Sequence, residues 1–502
     1  MSEMDIPVRE RPEEAETPLF GREKAAESLN AAFVATMDSG QFHAVTLVGT
    51  AGQGKTALIG QILARTRRAA KDQPLILSVR ARHPGVSYGL FSRLLRERFD
   101  VPETLAEAEA TRKVETEVRR VLGVENVTDV CFFLGQLMRL SFEESPLTVA
   151  ATAEPGQSQL MHRGVMRRFL EADSARRAIC LVFDDVHRAD ADSLDLLQSL
   201  LANLDGRILV VCAAERELLA KRENWLGSVP GRHSLIELEP LENQTAGEMI
   251  RRLMRNCQGG VPDALVQAGV KAAGGNPGRI VQLVRSYFDS GVLEETSAAG
   301  GAWRVNLEKL GTVRLPMSVE EAVALRISTL SKTERRVLEH AAAMGAVFWL
   351  GGLVALERMD AEPPELWQSS VRKEIERLEA VLDELVERDY LLRLDDGVFP
   401  DEPEFVFKHN FEREKLIALT SAARSRRYHQ TIADWLAQQT SARSQEEYMS
   451  RLAYHLEQAG SMTRAGFAYL EAGDLARRGF ALRNASEAFE KGLTLLGDDD
   501  AR

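Results

Sequence analysis

The eight residues Gly49-Thr50-Ala51-Gly52-Gln53-Gly54-Lys55-Thr56 constrain this chain more than any other segment. They fit G-x-x-x-x-G-K-[ST] at every fixed position. The apolar run over 44–48 reads as a strand and the stretch over 57–65 as a helix, so the turn is expected between the two. Glycines let successive backbone N–H groups turn inward around phosphate oxygens. The start of the following helix adds partial positive charge. Lys55 supplies a full charge to β- and γ-phosphates, and the Thr56 hydroxyl is a magnesium ligand. Gly49, Gly52, Gln53, Gly54, Lys55, Thr56 and Ala57 are therefore the expected contacts of a nucleoside phosphate tail.

The rest of the first half supplies a layer to carry such a turn. Strands are expected over 43–48, 74–79, 178–183, 207–213 and 235–238, separated by helical stretches. Continuous apolar runs of that length suit strands buried on both faces of a parallel sheet. The expected fold is a doubly wound α/β P-loop NTPase layer. The run Ile179-Cys180-Leu181-Val182-Phe183-Asp184-Asp185 ends in two carboxylates at the sheet edge where such folds bind ligands. Asp184 is assigned to the Mg²⁺ shell together with Thr56. Asp185 is placed to orient or deprotonate an attacking water.

Charge and cysteine usage narrow the function. Lys and Arg number 63 against 75 Asp and Glu, a net charge of −12, which speaks against a chain that binds duplex nucleic acid with most of its surface. Four scattered cysteines form no disulfide framework, and Cys180 and Cys212 read as buried apolar residues. A cytoplasmic location is the expectation. The acidic stretch 1–18 has no signal-peptide core and reads as a disordered lead-in. The longest uncharged run, 341–356, is shorter than the ~20 residues a membrane span needs, and reads as the core of a small helical domain.

At 502 residues, about 150 per domain gives roughly three domains. The α/β layer is assigned to 19–240 and a helical lid to 241–310, with a loop or short hairpin over 290–310. Residues 311–425 read as a winged helix: helices over 319–330, 333–344 and 375–387, then a hairpin over 390–394 and 404–408. Residues 426–502 read as TPR-like helical repeats that stop before an obvious capping unit, as in a longer natural protein.

Three further motifs carry a resemblance. Phe20-Gly21-Arg22-Glu23 precedes the P-loop, Asp184-Asp185-Val186-His187-Arg188-Ala189-Asp190 follows it, and Gly275-Asn276-Pro277 comes later. In this order they resemble the STAND ATPases, signal-transduction P-loop ATPases with numerous domains. The likeness is greatest to maltose-regulon-activator-like and large ATP-binding LuxR-type regulators, over about 17–440. It implies that Phe20, Gly21 and Arg22 line the adenine and ribose side. It implies that Asn276, Pro277 and Arg279 lie beside the nucleotide, although Asn276 as N-cap and Pro277 at the first helical position are also a full capping account. Where the family commonly has Trp after the His, this chain has Arg188, which puts in doubt a local packing role there. His187 reads as a polar helix-start residue or as a metal or phosphate neighbour. Arg216 is either a γ-phosphate sensor or a surface ion pair, and His409 either touches a β-phosphate or merely ends a strand. The basic residues Arg424, Arg426, Arg427 and His429 read as a solvated helix face or as a surface for an anionic partner.

The function this implies is an ATP/ADP-dependent regulatory switch with slow, Mg²⁺-dependent hydrolysis. Its repeats would take a protein partner or small-molecule inducer, and nucleotide would drive homo-oligomerisation. Two alternatives stay open. One is a nucleic-acid ATPase of origin-recognition or loader type, which the acidic wing over 393–404 disfavours. The other is a scaffold that holds nucleotide without hydrolysing it.

Overall fold

The structure, a computed structural model, describes residues 19–69, 73–81, 87–123, 127–152, 155–222, 225, 232–289, 291–295, 303–306, 319–359, 370–394, 402–408, 410–438, 445–479 and 481–500. The lead-in over 1–18 and His409 lie outside them. Five strands, β1 (His43–Val48), β2 (Leu75–Arg80), β3 (Ile179–Asp184), β4 (Ile208–Ala214) and β5 (His233–Glu237), form one sheet in the order β2-β3-β4-β1-β5. Every pairing in it is parallel. All residues of β3 and β4 are buried, which is why both runs are apolar throughout rather than alternating.

Alternate side chains serve the two faces. Val45, Leu47, Cys180 and Val182 pack with Leu58 and Ile59 of the helix Lys55–Ala69. Ala44, Leu181, Phe183 and Cys212 pack on the opposite face. The two strand cysteines are thus core residues of different faces, as expected of small hydrophobes. The β2–β3 crossover is long and helical. It holds the helices Gly89–Phe99, Glu107–Leu122, Val127–Met138, Pro146–Thr152 and Pro155–Arg176. Arg98 pins them together, with Nε 2.6 Å from Asp173 and Nη1 3.1 Å from Glu117.

The lid consists of helices Asn243–Leu253, Asp263–Ala273 and Pro277–Asp289. The segment expected to be a loop or hairpin contains the antiparallel pair β6 (Leu293–Glu295) and β7 (Trp303–Val305). Next come helices Val319–Ser328, Lys332–Met344, Leu350–Glu357 and Ser370–Glu387. Beside them is an antiparallel sheet in the order β8-β10-β9, built from β8 (Val347–Trp349), β9 (Leu391–Leu394) and β10 (Glu404–Phe407). This is a winged-helix arrangement. The uncharged run over 341–356 is not one helix. It breaks at Gly345 and its Val-Phe-Trp stretch becomes β8, as β-branched and aromatic residues favour.

Helices Asn410–Leu419, Ala422–Leu436, Gln445–Ala459, Met462–Arg478 and Leu482–Asp500 complete the chain. One hydrophobic cluster runs from Val323 through Trp349 and Trp435 to Tyr469, so the winged helix and the first repeat share a core. The last helix turns back to the ATPase layer. Ala485 and Phe489 join its core, and the Asn484 backbone N–H donates to Asp192 at 3.1 Å.

Candidate nucleotide-binding site

The P-loop leaves β1 at Val48 and enters its helix at Lys55, at the carboxyl edge of the sheet. Gly52 and Gly54 have φ of +80° and +87°, a region that residues with a Cβ seldom adopt. Lys55 is buried and its Nζ donates to the Gly49 and Thr50 carbonyls at 2.7 and 3.1 Å, folding the side chain along the loop. Burial lowers its pKa, against the pull of Glu215, Asp185 and Asp184.

Thr56 opens the helix and donates from Oγ1 to Asp184 Oδ2 at 3.0 Å. Asp184 closes β3, and its other oxygen accepts the Asp185 backbone N–H at 3.0 Å. Asp185 stands in the left-handed region, with φ +54°. The following turn, Val186–Arg188, places His187 against Glu215, whose backbone N–H reaches Nδ1 at 3.3 Å. That is a local polar role for His187. Asp190 caps the next helix by accepting from Ser193 N, and also holds the Tyr88 and Gly89 backbone N–H groups at 3.0 and 3.2 Å.

The other side of the loop is closed by Arg22 and the lid. Arg22 is buried and donates to Gln53 Oε1 at 2.9 Å, and burial lowers its pKa. Phe20 packs against the lid core. Asn276 both caps the helix Pro277–Asp289, through Arg279 N, and donates to the Ala51 carbonyl at 2.9 Å. Asn276 is thus the cap that the sequence allows, and its side chain also reaches the phosphate loop. Gly278 N donates to the Gly52 carbonyl at 2.8 Å. Arg279 stacks its guanidinium over Phe411 of the winged-helix region, 5.9 Å from the ring centre.

One residue shows one of its two readings and another stands differently from expectation. Arg216 is 64% exposed and pairs with Glu237 at 2.7 Å and Glu239 at 3.3 Å, so of its two readings the surface ion pair is the one present. His429 is not on a solvated face: it is buried, with Nδ1 2.8 Å from His455 Nδ1, because its helix turns that side toward the repeat core. One residue was missed. Arg80, the last of β2, donates to Asp184 Oδ2 from Nη2 at 2.7 Å and from Nε at 3.1 Å. The two lie in register across β2 and β3, but no sequence signal says which strands are neighbours.

The donor set fits the expected ligands. Thr56 and Asp184 offer hard oxygens, the type Mg²⁺ takes alongside phosphate oxygens rather than an all-protein cage. Among the described residues no group of three or more His, Cys, Asp or Glu forms a metal cage. The inward-turned glycine loop, the buried lysine and the helix N-terminus suit a phosphate chain.

Comparison with known proteins places this geometry. Residues 18–211 match the family described as AAA ATPase domain. The chain is similar to a crystal structure of a STAND protein with a tetratricopeptide repeat sensor from Pyrococcus horikoshii, at 11% identity and a TM-score of 0.45. That alignment covers 96% of this chain and 59% of the archaeal one, so the chain spans less than two thirds of that protein's length. It is also similar to the ORC1 protein of Aeropyrum pernix in complex with DNA, at 14% identity and a TM-score of 0.37, covering 81% of this chain and 94% of that one. No curated protein matches the chain. The match over residues 18–211 takes in the phosphate loop, β3 and Asp184, and so agrees with a P-loop ATPase module in the first half of the chain.

Proposed function

We propose that this chain is a nucleotide-operated regulatory switch of the STAND kind, in which ATP and ADP set the arrangement of lid, winged helix and repeats. The observation that carries this is the helix Pro277–Asp289. Its N-terminus is hydrogen-bonded to the phosphate loop through Asn276 and Gly278. Its body bonds to the winged helix: Gln282 Oε1 accepts from Arg326 at 2.6 Å and Arg285 pairs with Asp389. A nucleotide that alters the loop therefore acts directly on an element shared with the next domain. A ligand shifts such an equilibrium only by its differential affinity for the two arrangements. Several charge-assisted bonds of ~1.5–3 kcal/mol each are of the size needed.

In this reading Lys55 and the loop N–H groups hold the phosphates, and Thr56 and Asp184 hold Mg²⁺, which neutralises charge on the phosphate oxygens. Asp185 orients the attacking water. Phe20, Gly21 and Arg22 border the base side, and Asn276, Pro277 and Arg279 close the lid. Hydrolysis is slow and resets the switch. The helical repeats receive a protein partner or small-molecule inducer. No described helix is long and apolar enough to cross a membrane.

Calorimetry of ADP and ATP binding to the wild type and Lys55→Ala tests the site. The variant is expected to lose about 10–100-fold in affinity or more. Unchanged affinity would overturn the assignment. Limited proteolysis with each nucleotide tests the switch, since identical cleavage patterns with ADP, with ATP and without nucleotide leave no switch to explain.

A further inference from the structure

We propose that Arg80 is a resident counter-cation of Asp184 that competes with magnesium for this carboxylate, so that a metal ion or its bound water on Oδ2 displaces Arg80. This rests on the nucleotide-site reading above and deepens it.

The argument is one of lone pairs and charge. Asp184 Oδ2 accepts from Thr56 Oγ1 at 3.0 Å, Arg80 Nη2 at 2.7 Å and Arg80 Nε at 3.1 Å. Its Oδ1 accepts the Asp185 N–H at 3.0 Å. Oδ2, which already takes three hydrogen bonds, has no direction left for a hard cation or its bound water, whereas Oδ1 with its single bond keeps one. Arg80 Nε is also 3.8 Å from Asp185 Oδ2, so a single guanidinium faces both carboxylates at the sheet edge and offsets one of their two charges. The arginine is placed by the fold rather than by its own packing. It ends β2 directly opposite Asp184 in the parallel register, while 52% of its side chain is exposed. A half-exposed guanidinium on a flexible stem swings away without leaving a cavity. Asp184 is 8% exposed at its side chain, so a charge there requires a partner at all times. Arg80 is that partner whenever the metal is absent. When Mg²⁺ takes Asp184, the released guanidinium remains at the mouth of the site, beside the phosphate chain it is suited to bind.

The test uses the full chain and Mn²⁺ as the metal probe. ADP affinity is first measured by calorimetry with EDTA and with metal. Mn²⁺ binding to the protein–ADP complex is then read from the loss of the free-ion electron paramagnetic resonance signal, in wild type, Arg80→Ala, Arg80→Lys and Asp184→Asn. Arg80→Ala is expected to bind Mn²⁺ about tenfold more tightly than wild type, the size of one charge-assisted contact at a partly exposed site. Arg80→Lys keeps a cation but loses the two-pronged contact, and is expected between the two. Asp184→Asn is expected to bind Mn²⁺ weakly. Equal or weaker Mn²⁺ binding by Arg80→Ala, in a protein that still binds ADP, overturns the proposal alone. A wild type that ignores ADP under every condition overturns the nucleotide reading and this proposal with it.

Discussion

Thr56 and Asp184 lie 128 residues apart in the chain, yet the threonine hydroxyl donates a 3.0 Å hydrogen bond to the aspartate carboxylate. The contact joins the first turn of the P-loop helix to the end of an apolar strand, so the sheet brings together the two residues proposed above as magnesium donors. Thr56→Ala or Asp184→Asn is therefore expected to lower Mg²⁺-dependent phosphate release by about 10²-fold or more, because the metal stabilises charge developing on the phosphates. ADP binding measured in EDTA should change little in Thr56→Ala. A large loss there would assign the hydroxyl to the phosphates instead of the metal.

Gly278 is where the lid meets the phosphate loop most closely. A Cβ added there would lie 2.8 Å from the Gly52 Cα and 3.1 Å from its carbonyl oxygen, both backbone atoms with nowhere to go. Gly278→Ala should push the helix off the loop and cost about 1–3 kcal/mol, the usual scale of overpacking. Asn276→Ala should cost about 1 kcal/mol as a lost cap, and leaves the Ala51 carbonyl without its lid donor. In denaturant titrations followed with and without ADP, both variants should also narrow the stabilisation that ADP confers. An unaltered ADP-induced shift would uncouple the lid from the site.

The sheet and the phosphate loop were legible because their signals are local. β3 and β4 are buried at every residue, so an unbroken apolar run suffices to locate them. The motif residues at 49–56 carry their own turn chemistry. What failed to show was relational. Arg80 is an ordinary strand-end arginine until strand order puts β2 beside β3. Arg216 sits among acidic residues in sequence, but its partners Glu237 and Glu239 come from and beyond β5. His429 lies in a basic run, and only the packing of its helix against Gln445–Ala459 buries it. The helical insertion between β2 and β3 was hidden because amphipathic helices announce a face and not a topology: Ala110, Val114 and Val118 mark a buried stripe without saying what covers it.

Arg326 and Glu412 form a buried pair inside the winged-helix region, and the same arginine reaches Gln282 of the preceding helix Pro277–Asp289. Nη1 of the arginine is 2.7 Å from Glu412 Oε1 and 2.6 Å from Gln282 Oε1, and both charged side chains are 1% exposed. The guanidinium also sits over the Tyr390 ring, 4.2 Å from its centre. Glu412→Leu removes the counter-charge and keeps the cation buried, so it should destabilise the region by about 3–5 kcal/mol. Pairing it with Arg326→Met removes the stranded charge and should restore much of the loss. A double-mutant cycle on unfolding free energies checks this, and additive losses would show that the two side chains act independently.

The paired imidazoles of His429 and His455 predict how the repeat region responds to acid. Burial holds His429 down to about 4, and burial, His429 and Arg451 hold His455 well below its ordinary value, against a hydrogen bond to the Met344 carbonyl. The groups around the pair are the Tyr454 ring and the Arg451 guanidinium, and neither offers a carboxylate to stabilise a second proton. Both histidines therefore have folded pKa values below the unfolded value of about 6.5. Below that value the unfolded chain binds more protons than the folded one, so stability is complete above it and falls as acid is added, at up to about 1.4 kcal/mol per pH unit for each ring. His162, buried to about 4, adds to this loss. Asp192 opposes it: its carboxyl is raised to about 6, so the folded chain holds the extra proton between about pH 3.8 and 6 and gains stability as pH falls through that window. Three rings outweigh one carboxylate, and the net effect is acid destabilisation. His429→Gln removes one ring and should spare about 2 kcal/mol of the loss between about pH 7.5 and 5 in denaturant titrations. If the variant loses as much stability over that interval as the wild type, the proton is being taken up elsewhere and the pair is not the acid-sensitive element.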